Sequence, residues 1–128
     1  MHELISLIIS AVLCVGPTAP PQHPANESTI NIALFGAEHP SPMPLRAVVL
    51  TCDPAGGTHP DPVTACAKLA AVDGDLDRLT PLNLACPLIF APVTVRAVGD
   101  WQGAPVEFEE TYENDCVARD RSGGVFQF

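Results

Sequence analysis

The sequence predicts an α+β domain: an antiparallel sheet of about five strands, two helices segregated from it, and two disulfides. Three observations carry that expectation. Short segments with strand character, several of them alternating with period two, recur along the chain between proline- and glycine-rich turns. Two stretches carry helix-start signals and stand apart from the strands. Four cysteines, Cys52, Cys66, Cys86 and Cys116, fall within the same hundred or so residues, a density that reads as two disulfides in a small secreted domain.

The chain has 128 residues, 47% hydrophobic and 16% charged, which fits one globular domain with one modest core. Its net charge of −9 argues against nucleic acid or an anionic membrane surface as a partner.

Leu4 to Gly16 is an uncharged apolar run, too short to span a bilayer comfortably and of the length of a signal-peptide core. Small residues and prolines follow it. The opening residues carry no Lys or Arg and no A-x-A site follows, yet a secretory signal fits the run better than a buried helix. Cys14 would leave with the signal. Residues 1–27 are expected to be signal and disordered lead, and 28–128 the folded domain. Four cysteines then remain, with three possible pairings.

Within the domain, Ser28 to Phe35 alternates Ile30, Ile32 and Leu34 with polar or small residues, as a strand does. Leu45 to Cys52 is β-branched and reads as a second strand. Asp61 followed by Pro62 is a helix start, with Val63, Cys66, Ala67, Ala70 and Ala71 as the expected buried face up to Val72. Residues 77 to 92 are irregular, with prolines at 81, 87 and 92. Val93 to Val98 and Pro105 to Tyr112 read as a hairpin around "GDWQG". Val106, Phe108 and Tyr112 share one face, and Glu110 breaks the pattern, which predicts a bulge or a solvent-facing edge. Asn114 or Asp115 caps a short helix ending at Gly123 and Gly124. "VFQF" reads as a last strand.

Most chemistry-bearing residues have a structural explanation. His59, Asp61 and Ser122 lack any nucleophile motif around the serine. Glu107, Glu109, Glu110 and Glu113 read as a solvated strand face rather than a carboxylate pair. Trp101 reads as turn packing. The cysteines show no C-x-x-C and no paired histidines, so zinc, other metals and cofactors are not expected, nor is an enzyme. Asn26 fits a glycosylation pattern.

"ACPLIFAP", residues 85–92, is different. Proline has no amide donor, so two prolines this close argue against a buried strand. Pro87 fixes its own φ and holds Cys86 extended. A disulfide at Cys86 would fasten the segment to the body. The result is a rigid, extended, apolar loop with Leu88 and Ile89 near its apex, the form in which a backbone enters another protein's cleft.

These residues resemble the Streptomyces subtilisin inhibitor family of secreted proteinase inhibitors. The matching stretches are "VVLTCDPAGGTHPDPVTACAKLAAVDGDLDRL", "CPLIFAP", "WQG", "YENDC" and "SGGVFQF", in order from the second strand to Phe128. The resemblance implies a five-stranded antiparallel sheet with two helices, sequential disulfides Cys52–Cys66 and Cys86–Cys116, a homodimer and a substrate-like reactive loop. It places the reactive bond at Leu88–Ile89, with Leu88 as P1 and Ala85, Cys86, Pro87 and Phe90 as contact residues. Two departures stand out: the segment from Leu79 to Cys86 is a residue shorter than usual, and Ala91 replaces a commonly acidic residue. The expected partner is a subtilisin-like, or chymotrypsin-like, serine protease. The alternatives are a binding scaffold without inhibition, or an inhibitor or substrate of another secreted enzyme, such as a metalloprotease or transglutaminase.

Overall fold

A computed structural model describes Gly16 and residues 27–37 and 42–128. The apolar segment up to Val15 with Cys14, the lead through Asn26 and the centre of the first proline-rich loop lie outside the described residues.

The element order is β1 (Ser28–Gly36), β2 (Arg46–Cys52), β3 (Gly56–Gly57), α1 (Pro62–Ala70), β4 (Val93–Trp101), β5 (Ala104–Tyr112) and α2 (Asp115–Arg121), with a 3-10 turn at Leu76–Arg78. The strands form one antiparallel sheet in the order β3-β2-β1-β4-β5. β1 takes the centre because its even positions, Ile30, Ile32 and Leu34, are all apolar and are at most 1% exposed. Leu50 of β2, Val93, Val95 and Ala97 of β4, and Val106, Phe108 and Tyr112 of β5 continue that face. Ala65 and Leu69 of α1, Leu76, Ala118 of α2, and Val125 and Phe126 cover it.

The hairpin between β4 and β5 closes on two residues, Gln102 and Gly103, both with positive φ (48° and 84°), the twist that two-residue hairpins require. The strands therefore run further into "GDWQG" than the sequence suggests. Trp101, buried at the end of β4, lies against Gly74, where a Cβ would sit 2.3 Å from its Cγ. The register of β5 is unbroken from Ala104 to Tyr112. Glu110 thus lies on the core side of an edge strand and reaches solvent there, the second of the two expected outcomes.

Two expectations are corrected. "VFQF" is not a strand: successive turns lead out of α2, with Val125 N–H donating to Ser122 C=O at 3.3 Å and Gln127 N–H to Gly124 C=O at 3.1 Å. Adjacent Val125 and Phe126 are both buried, whereas a strand added to a sheet covered on one face would turn one of the two side chains outward. The fifth strand is instead the two-residue β3. In α1 the buried residues are Ala65 and Leu69, whereas Val63 is 69% exposed and Ala67 and Ala70 face solvent. Leu69 is the helix's one large core side chain, and it sets the rotation; alanines do not oppose it. The Asp61 cap is as expected, its carboxylate accepting from Thr64 N–H at 3.4 Å.

The disulfides are Cys52–Cys66 and Cys86–Cys116, closing sequence separations of 14 and 30 residues. Chain-entropy reasoning assigns them about 3 and about 3.7 kcal/mol. The first ties α1 to β2, and the second ties the irregular segment to α2.

Candidate functional site: the 82–92 loop

Residues 79–92 contain no helix or strand. Their apex carries three exposed large apolar side chains in a row: Leu88 at 106%, the highest value among the described large hydrophobic residues, Ile89 at 59% and Phe90 at 74%. Apolar side chains this exposed and contiguous mark a surface made for a partner.

The loop is nevertheless fixed to the body along its length. Cys86 is bonded to Cys116, one residue into α2. Ala91 N–H donates to Glu113 C=O at 2.9 Å, and Pro92 C=O accepts from Ala37 N–H at 3.0 Å. Upstream, Leu82 N–H donates to Asp120 C=O at 3.0 Å and Leu84 N–H to Asp120 Oδ1 at 2.7 Å.

Asn114 supports the apex from beneath. It is only 7% exposed, and it caps α2 by accepting from Val117 N–H through Oδ1 at 2.9 Å. Its Nδ2 donates to Ile89 C=O at 2.8 Å and to Pro87 C=O at 3.2 Å. The two carbonyls on either side of Leu88 are thus drawn to one buried amide, while the Leu88 side chain points outward. Sequence reasoning found Asn114 only as a cap. Its second task left only a partial trace: among good cap residues asparagine alone carries an NH₂ donor group separate from its acceptor oxygen, a serine or threonine hydroxyl being both in one atom, and it stands two residues before the cysteine that holds the loop.

The site residues named from sequence are brought together here. Ala85, Pro87, Leu88, Ile89 and Phe90 are all exposed, and Cys86 is half-buried. His59 and Ser122 have other roles. His59 is buried, with Nε2 on Val125 C=O at 2.7 Å and Nδ1 accepting from Asp61 N–H at 3.0 Å. Ser122 Oγ donates to Arg119 C=O and accepts from Phe126 N–H. Both therefore serve backbone. Among the described residues, no group of three or more His, Cys, Asp or Glu could hold a metal ion.

The chain matches the family described as subtilisin inhibitor-like over residues 26–114. This protein belongs to the subtilisin inhibitor-like family. It is similar to a subtilase-type protease inhibitor of Streptomyces fradiae, 37% identical over 98% of this chain and 94% of the relative. A second relative in that organism, subtilisin inhibitor-like protein 5, is 48% identical over 66% of this chain and 81% of its own. Among solved structures, Streptomyces caespitosus sermetstatin in complex with Bacillus licheniformis subtilisin superposes with a TM-score of 0.63 and 35% identity, covering 80% of this chain and 99% of that one. The subtilisin inhibitor-like fold of this chain and its two disulfides agree with what the sequence motifs implied.

Proposed function

We propose that the protein is a secreted, substrate-like, tight-binding inhibitor of subtilisin-type serine endopeptidases, with Leu88–Ile89 as its reactive bond. The observation that supports this reading most strongly is the apex: Leu88 fully exposed, with the carbonyls on both sides of it held by buried Asn114. A partner of the relative sermetstatin points to the same class of enzyme.

Leu88 as P1 enters the S1 pocket of the protease, where full burial of a leucine contributes about 1.5–3 kcal/mol. Pro87, Cys86 and Ala85 lie on the upstream side as P2, P3 and P4, with Ile89 and Phe90 downstream as P1′ and P2′. Because the loop is ordered before it binds, little conformational entropy is lost on docking, and that difference turns a modest contact into a tight one. The protease serine attacks the Leu88 carbonyl as it would in any substrate. After scission, Pro87 lies on one fragment and Ile89 on the other. Asn114 holds a carbonyl of each, and Cys86–Cys116 joins the two fragments covalently. The new amine and the acyl group stay near attack distance, so resynthesis competes with product escape.

Secretion fits two features: disulfides persist in oxidising compartments, and the apolar run before Gly16 has the form of a signal core. Among the described residues no helix is long and apolar enough to cross a membrane. A homodimer is also part of this reading. The sheet face away from the helices carries Ala33, Ala47, Val49 and Val98 around Asn31, with Val98 39% exposed, and a second copy would cover it.

Titration of a known concentration of subtilisin tests the function. Activity is expected to fall linearly to an end point near one inhibitor per enzyme. Cleavage at Leu88 without loss of activity would leave a scaffold that no longer inhibits, and inhibition confined to a metalloprotease would point to a different contact.

A further inference from the structure

The arm that leads into the loop, Thr80 to Ala85, is exposed throughout and has no regular structure. Leu82 and Leu84 are 39% and 42% exposed, and Asn83 between them has a φ of 66°. Two backbone donors of this arm go to one residue. Leu82 N–H donates to the carbonyl of Asp120, and Leu84 N–H to its carboxylate at 2.7 Å, the short distance of a charge-assisted bond. Leu84 C=O then accepts from Cys86 N–H at 3.1 Å, which carries the order on into the reactive loop.

Asp120 is an unfavourable choice for α2 taken alone. It lies in the last turn of a helix ending at Arg121, where the dipole disfavours a negative charge. Its position is explained by the arm it holds. α2 thereby grips the loop three times: at Asn114 beneath the apex, at Cys116 through the disulfide, and at Asp120 on the upstream arm.

We propose that Asp120 is a positioning residue for inhibition. It fixes Leu82–Leu84 so that Leu84 meets the protease as an ordered P5 side chain, and so that the arm is not itself taken as substrate. This inference rests on the inhibitory reading of Leu88–Ile89.

The test compares wild type, Asp120→Ala and Asp120→Asn with subtilisin. Inhibition constants, the cleavage rate at Leu88–Ile89 under catalytic enzyme, and the site of the first cut are each measured. Loss of a partly solvated charge-assisted bond is expected to make Asp120→Ala about five- to tenfold faster to be cleaved, with new cuts between Leu82 and Ala85. Asp120→Asn keeps an acceptor oxygen and is expected to recover most of the resistance. A purely structural role predicts otherwise, since removing the charge relieves the helix dipole and Asn and Ala would then behave alike. Amide exchange of Leu84 in the free proteins gives a second readout, faster in Asp120→Ala than in Asp120→Asn. If wild type inhibits and the three proteins are cut at the same rate and place, the proposal is overturned and the inhibitory reading stands. If wild type does not inhibit, both fall.

Discussion

In the proposed function Leu88 and Asn114 divide the loop's work, one meeting the protease and the other bracing the loop against the body. Leu88→Gly is expected to weaken subtilisin inhibition about 10- to 100-fold, the equivalent of one leucine's burial. Leu88→Lys is expected to gain trypsin inhibition, because its ammonium meets the aspartate of that pocket. Inhibition constants for the two enzymes check both, and unchanged values would remove Leu88 from the contact. Asn114→Asp separates the two tasks of that residue. Aspartate still caps α2, but it sets an acceptor against the Pro87 and Ile89 carbonyls. Cleavage at Leu88–Ile89 is expected to become about tenfold faster or more, with helix content by circular dichroism retained. The loop was legible in the sequence because proline and cysteine chemistry is local. Of the brace only the spare amide donor of Asn114 was legible, because its link to the Pro87 and Ile89 carbonyls exists only once α2 has docked beneath the loop.

Among the elements, those with a repeating apolar pattern were legible and those without one were not. β1 and the β4–β5 hairpin follow from alternation, and α1 begins where Asp61 and Pro62 indicate. β3 is two glycines, with no side chain to signal burial, and it exists because Leu50 and Thr51 offer it a register. The buried pair Val125 and Phe126 looked like a strand because two residues cannot distinguish a period of two from a turn. On the inhibitory reading, α2 and the disulfide it carries bear on function directly. Reducing Cys86–Cys116, or replacing both cysteines with serine, is expected to turn a single slow nick into digestion to small fragments, read by mass spectrometry over time. At the sheet edge, burial first and the Glu110 carboxylate second hold the Tyr112 phenol well above its ordinary range. The unfolded chain therefore releases this proton before the folded one does. The stabilisation is intact below the unfolded value of about 10 and is lost as pH rises from there towards the folded one. Alkaline unfolding of wild type is expected to show this decline, and Tyr112→Phe to show less of it.

For the whole molecule, one sheet with helices on one side leaves the other side to be covered. Sedimentation at micromolar concentration is expected to give a dimer, and Val98→Asp to give a monomer whose reactive loop still binds subtilisin. A wild-type monomer would mean that the face stays solvated. On the proposed function, the fold holds a cleavable bond in a form that resists cleavage. The most direct test of this is prolonged incubation with catalytic subtilisin, followed by N-terminal sequencing of the products. One new terminus is expected, reading Ile89-Phe90-Ala91, with the two fragments still joined through Cys86–Cys116 and still inhibitory. A first cut anywhere else, or a nicked protein that no longer inhibits while its disulfide is intact, would contradict it.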